Sequence, residues 1–165
     1  MTPDRIAIQP VRPADVPAVV ALVHELAAFE RAPEQCTLTA DALSVALFGP
    51  DPALYGHVAT GPDGEVVAFM LWFLNFSTWD GRHGVYLEDL YVRPELRGAG
   101  VGRRMLATLA GICVDRGYTR LQWAVLDWNP ARTFYAAVGG EATGEWVPYR
   151  LTGEALAKLA ATGLR

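Results

Sequence analysis

Apolar positions along this chain recur with two periods, and the places where the period changes mark out its elements. Residues 6–10 read as a short first strand, after which Asp15 stands as an N-cap and Val19, Leu22, Val23 and Leu26 form one stripe of a first helix ending near Glu30. Thr39 caps a second helix that runs to about Leu47, where Gly49-Pro50-Asp51-Pro52 breaks the chain. Residues 55–60 and 65–76 are strand-like runs joined by Gly61-Pro62-Asp63-Gly64, a hairpin signal. Residues 77–84 form a polar loop, residues 85–92 a central strand, and residues 102–116 an amphipathic helix with Met105, Leu106, Leu109, Ile112 and Cys113 inward and Gly117 at C′. Residues 121–126 are another apolar strand; Asn129 then caps a helix whose first residue is Pro130 and whose end is Gly139-Gly140. Residues 146–151 complete the set as a last strand, and Thr152 caps a short terminal helix. A strand, glycine turn, helix and strand in succession require a right-handed crossover and two parallel neighbours. The expectation is one α/β (α+β) domain spanning residues 1–165, with a single mixed, mostly antiparallel sheet and helices on both faces.

The turn into the third helix is the most informative segment. Arg97-Gly98-Ala99-Gly100-Val101-Gly102 lies between the central strand and the helical pattern that opens at Arg103. Glycines there permit unusual dihedrals, and the first N–H groups of the helix point outward unpaired, which makes an anion cradle. A dinucleotide fingerprint needs Gly-x-Gly-x-x-Gly, but Arg103 stands where its last glycine would be, and no Gly-Lys-Ser/Thr of a Walker loop follows.

Composition narrows the partner. A net charge of −4 and a pI near 5.3 leave no basic stripe to displace phosphate counterions, so a nucleic-acid partner is not expected and a cationic ligand is. No apolar run approaches a membrane span, and no basic segment with an apolar signal core opens the chain, so a cytoplasmic protein is expected. Cys36 and Cys113, like His24, His57 and His83, are scattered without metal or redox spacing; free thiols and no metal follow.

Two adjacent carboxylates, Glu88 and Asp89, interrupt the apolar central strand, and period two sends them to opposite faces of a sheet covered on both sides. A buried carboxylate needs a partner or a wet cleft, and desolvation there raises its pKa towards the range of a general base. Glu30 falls four residues after Leu26 on the apolar stripe, so it points towards the same interior and could join Glu88 and Asp89 in an acidic pocket for an ammonium group. Structural roles compete with each of these: a carboxylate pair at a strand end, a surface glutamate at a fraying helix terminus. Tyr135 carries a phenol of pKa about 10 and is therefore a proton donor at neutral pH, although Phe134, Tyr135 and Val138 also read as a plain core stripe, and Asn129 as a plain cap. A covalent relay through Cys113 or Cys36 has no partnering histidine, so a covalent enzyme intermediate is not expected. An amine of pKa about 10.4 is only about one part in a thousand neutral at pH 7.4, which makes proton removal a kinetic burden and favours an acceptor with a second cationic nitrogen for the remaining acids.

Taken together, the runs His24-Glu25-Leu26-Ala27-Ala28-Phe29-Glu30, Tyr86-Leu87-Glu88-Asp89-Leu90-Tyr91-Val92, Arg97 to Gly102, Asp127-Trp128-Asn129 and Phe134-Tyr135 occur in the order found in GNAT-superfamily N-acetyltransferases, and the chain resembles their spermidine/spermine (diamine) and thialysine branch from Ile6 to Leu159. The resemblance implies the GNAT fold, acetyl-CoA as the acyl donor, a small polyamine-like or lysine-like amine as acceptor, and a homodimer. It implies that Leu90, Tyr91 and Val92 bind the pantetheine arm through their backbone while Arg97, Gly98, Ala99, Gly100, Val101, Gly102 and Arg103 cradle the pyrophosphate, with Asn129 a further coenzyme contact. It assigns Tyr135 to protonating the thiolate, Glu88 to water-mediated base duty, and Phe29, Glu30, Asp89, Trp79 and Trp146 to the walls of the amine pocket. Three departures bear on it: Ser77 stands where the polyamine enzymes carry an aspartate, with Asp80 displaced nearby; that loop is one residue longer at Gly81-Arg82-His83-Gly84; and Asn129-Pro130 replaces the family's Asn-Glu-Pro. Acetylation of protein lysines or N-termini, and a coenzyme A-binding module without turnover, are the competing readings.

Overall fold

A computed structural model describes residues 6–144 and 146–163. The chain divides into two compact units, residues 1–126 and 127–165. The first contains a five-stranded sheet in the order β1 (Ala7–Pro10), β2 (Tyr55–Thr60), β3 (Val66–Ser77), β4 (Arg82–Val92), β5 (Leu121–Trp123). The first three pairings are antiparallel and β4–β5 is parallel, as a crossover through α3 (Val101–Arg116) requires. The mixed sheet, mostly antiparallel, matches the expectation.

One face of the sheet is closed by α1 (Val16–Phe29) and α2 (Ala40–Phe48). Val19, Leu22, Leu43 and Leu47 from these helices share a buried cluster with Val58, Phe69, Leu71 and Tyr91 of the strands. Alternate strand residues, Ala59, Ala68 and Met70, are equally buried but stand outside that cluster, and α3, lying against β4 and reaching β2, β3 and β5, presents Met105, Leu106 and Leu109 as its own buried stripe. Helices therefore cover both faces.

Local chemistry explains most boundaries. The Thr39 hydroxyl accepts the N–H of Ala42 at 3.2 Å and starts α2. Asp15 does not cap α1 with its side chain as expected: its carboxylate accepts instead from the Arg12 backbone N–H at 2.9 Å and the Arg12 guanidinium at 3.0 Å, and this pairing holds its pKa below the usual carboxylate range. The polar segment 77–84 is less of a loop than its composition suggests. Ser77 pairs with Arg82 and the turn spans only 78–81, closed by Gly81 N–H to the Ser77 carbonyl at 2.8 Å and Asp80 N–H to the Ser77 hydroxyl at 3.1 Å. Ladder hydrogen bonds are indifferent to side-chain polarity, so hydropathy hides this end of the hairpin.

The second unit contains α4 (Ala131–Ala137) and α5 (Gly153–Ala161). Pro130, not Asn129, is the N-cap of α4, which starts one residue later than predicted; Asn129 Oδ1 accepts the N–H of Ala131 at 2.9 Å just ahead of it. Residues 146–151 do not form the expected last strand; Trp146, Val147 and Tyr149 are 75%, 72% and 95% exposed. Their alternation suits a strand, but the described residues of this unit offer no strand to pair with. No helix among the described residues is long and apolar enough to cross a membrane.

Candidate active site

The turn into α3 takes the left-handed backbone form its glycines suggested. Gly98 and Gly100 have φ of 77° and 81°, left-handed values that cost a side chain about 1–2 kcal/mol, and Gly100 is the N-cap of α3. The space around both is open, with no atom within 4 Å of where a Cβ would stand, so what the loop requires of them is the dihedral angle. No side chain caps the helix, whose first internal bond runs from Arg104 N–H to the Gly100 carbonyl at 3.0 Å. The N–H groups of Val101, Gly102 and Arg103 thus lie ahead of the intrahelical ladder, at the positive end of a 16-residue helix. Ala99 lies half-buried between the two glycines and Arg103 is exposed beside these donors.

Leu90, Tyr91 and Val92 lead from the sheet to this loop. β5 pairs with β4 only through Val85, Tyr86 and Leu87, so among the described residues no strand covers the β5 side of residues 88–92. Of the backbone groups on that side, the Val92 carbonyl accepts from Arg97 Nε at 2.9 Å, and the others have no strand to pair with. Tyr91 is buried, while Leu90 and Val92 are half-buried.

The two acids are not distributed across the sheet as period two predicts. The β3–β4 register slips between Leu71, which pairs with Asp89, and Trp72, which pairs with Leu87, leaving Glu88 as an extra residue in a β-bulge. Glu88 is exposed and Asp89 half-buried. Burial pushes the Asp89 carboxyl up to about 6, with the charges of Glu88 and Glu30 adding to the shift. Burial also raises Glu30, the C-cap of α1. The structure therefore brings Glu30, Glu88 and Asp89 together, and it makes Asp89 the member poised to exchange a proton near neutrality.

Glu30 is held there by the way α1 ends. Arg31 takes φ of 63°, Ala32 N–H reaches the Ala27 carbonyl at 3.0 Å and Arg31 N–H the Ala28 carbonyl at 3.1 Å, the paired bonds of a Schellman stop with arginine in the place usually held by glycine. Phe29, the last helical residue, remains half-buried beside it.

Trp79 is not brought to this cluster. It lies 89% exposed in the 78–81 turn, roughly 20 Å along the strand from Asp89 at about 3.3 Å per residue. Asp80 in the same turn accepts from the Thr119 hydroxyl at 3.2 Å and lies 3.9 Å from the Arg120 guanidinium, so its carboxylate ties the hairpin to the start of β5. In the second unit Tyr135 sits on α4 with its ring 5.2 Å from that of Phe134, Asn129 is buried, and Trp146 is exposed. Among the described residues no group of His, Cys, Asp and Glu side chains could hold a metal ion.

Sequence reasoning overlooked the position of Arg97. Its guanidinium carbon lies 4.8 Å from the Phe29 ring centroid and 5.3 Å from that of Tyr91, and its Nε donates to the Val92 carbonyl at 2.9 Å. Only spatial proximity reveals this, since α1 and the loop are far apart in sequence.

The chain matches the Acetyltransferase (GNAT) family over residues 21–139. It is 35% identical to the thialysine N-epsilon-acetyltransferase of Bos taurus, with 94% of this chain and 97% of that protein aligned. It is 29% identical to an L-ornithine N5-acetyltransferase of Arabidopsis thaliana, over 87% of this chain and 83% of that one. Among solved structures, an integron cassette protein from the mobile metagenome of V. cholerae superposes with a TM-score of 0.79 at 25% identity, covering 94% of this chain and 98% of the other.

Proposed function

This chain belongs to the GNAT acetyltransferase family, and we propose that it moves the acetyl group of acetyl-CoA directly to a primary amine of a small lysine-like or polyamine-like molecule. The observation that carries the acceptor side is the convergence of Glu30, Glu88 and Asp89, with Asp89 raised to about 6. Three carboxylates attract a cation, and one of them at such a pKa accepts a proton without holding it irreversibly. The relatives named for thialysine and L-ornithine support an acceptor bearing two nitrogens. The Ser77 hydroxyl is engaged with the Asp80 N–H, and Asp80 with Thr119 and Arg120, which supports a lysine-like acceptor over a long polyamine needing further carboxylates.

The donor side rests on the uncapped N-terminus of α3 and its left-handed glycines. The backbone of residues 98–103 would take the pyrophosphate, the open side of residues 90–92 the pantetheine arm, and Asn129 a further contact. When bound there, the thioester supplies the activated acetyl group. The Glu88/Asp89 pair takes the ammonium proton through water, with Asp89 the matched acceptor and Glu88, at the bulge, its link to solvent. Tyr135 gives a proton to the departing sulfur. Phe29 and Glu30, with Trp79 and Trp146 contributed across a homodimer, complete the amine pocket. The exposed Trp146, Val147 and Tyr149 are what a second subunit would cover, and the free thiols of Cys36 and Cys113 support a reducing compartment such as the cytoplasm.

A panel of thialysine, ornithine, lysine, putrescine and spermidine with acetyl-CoA, followed by thiol release, tests this reading. Turnover is expected with the ω-amino amino acids. Absence of thiol release with every amine would overturn it.

A further inference from the structure

The first residue of the donor loop does not reach towards the cradle it introduces. Arg97 turns its guanidinium back against α1, over the Phe29 ring at 4.8 Å and the Tyr91 ring at 5.3 Å, while its Nε holds the Val92 carbonyl at 2.9 Å. Burial and then the charge of Glu25 raise the Tyr91 phenol, and the Glu25 carboxylate itself lies 3.6 Å from the Arg93 guanidinium. Glu25 and Phe29 are four residues apart on α1 and so occupy one face of that helix. This face grips β4 through Tyr91 and the loop through Arg97, and the residue that follows Phe29 is Glu30 of the acid cluster.

We infer that Arg97 is a positioning residue coupling the two substrates: clasped by Phe29 and Tyr91, it sets the entry of the glycine loop and, through the same contact, the end of α1 that carries Glu30. The inference rests on the acetyl-CoA reading of the loop. Its physical basis is that a guanidinium is planar and stacks on an aromatic face, whereas an ammonium does neither as well and an aliphatic side chain offers it no π-face. The loop's own anion donors are backbone N–H groups, so the side chain of Arg97 is spared for this clasp. Binding at the cradle orders the loop, the clasp transmits that order to Phe29, and Glu30 is held facing Asp89. By reciprocity an amine at the acid cluster tightens the coenzyme.

The test is a double-mutant cycle on the full chain, read as coenzyme A affinity by titration calorimetry. Phe29→Leu, which keeps an apolar side chain but removes the π-face, is expected to weaken coenzyme A about 3- to 10-fold although Phe29 belongs to the acceptor wall. Arg97→Lys is expected to weaken it at least as much, and the double variant no more than Arg97→Lys alone. Phe29→Tyr, which restores the ring face, is expected to bind within about twofold of wild type. Losses that multiply in the double variant, or a Phe29→Leu affinity equal to wild type, would overturn the coupling. Arg97→Lys also carries the test if Phe29→Leu does not fold: it is expected to raise KM for thialysine at saturating acetyl-CoA, and an unchanged KM would count against the inference. Wild type that binds no coenzyme A at all would instead sink the donor reading.

Discussion

Replacing Asp89 by asparagine should make this protein more stable and less active at the same time. The carboxyl is raised from 3.8 to about 6, chiefly by burial and then by Glu88 and Glu30. A native state with the higher pKa binds a proton that the unfolded chain releases, so the ionised form works against folding. The contribution of Asp89 to stability is therefore greatest below about pH 4, falls as pH rises to about 6, and is flat above. A shift of about two units at 1.36 kcal/mol each corresponds to roughly 3 kcal/mol at pH 8. Because asparagine remains a half-buried polar group, a gain of about 1–3 kcal/mol is expected, vanishing near pH 4. Urea unfolding of both proteins at pH 4, 6 and 8 measures it. In kinetics, log kcat/KM for the amine should rise with slope one below about pH 6, where Asp89 must be ionised to take the ammonium proton, and level off above it. The variant should show slope one throughout and about 100-fold lower activity at neutral pH. A stability difference that does not vary with pH, or a slope change that survives in Asp89→Asn, would refute the assignment.

Gly100→Ala and Gly64→Ala make a matched pair, since both glycines have left-handed φ (81° and 84°) and open surroundings. Each should lower stability by about 1–2 kcal/mol in thermal or chemical unfolding, but only Gly100→Ala should weaken coenzyme A in calorimetry. Tyr135→Phe should reduce kcat about 10- to 100-fold with KM for acetyl-CoA nearly unchanged, and an unaltered kcat would remove Tyr135 from proton transfer. Leu22→Ala, at a position of 0% exposure between α1 and the sheet, should cost about 2–5 kcal/mol in chemical unfolding and leave KM for either substrate unchanged.

Much of this molecule was legible in one dimension because local signals and long-range packing agree. The stripe Val19, Leu22, Val23, Leu26 specifies the buried face of α1, Gly61 to Gly64 the β2–β3 turn, and Gly98 with Gly100 the left-handed entry to α3, each through interactions within a few residues. The errors fall where a partner distant in sequence decides. Residues 82 and 83 are polar yet belong to β4, because pairing with Ser77 and Phe76 is made by the backbone. Residues 146–151 alternate like a strand yet are unpaired, because alternation cannot supply an edge to join.

The same division runs through the site. The sequence alone determined that a glycine turn into a helix follows the central strand, that two acids interrupt that strand, and that Glu30 continues the inner stripe of α1 at its end, since composition and spacing are enough for each. Only the tertiary structure decided that a bulge separates Glu88 from Asp89 and gives the raised pKa to Asp89, because a register slip depends on two strands and a pKa on everything packed around the carboxyl. It also decided that Arg97 turns away from the cradle to Phe29 and Tyr91, because a side chain's direction is chosen by its neighbours in space.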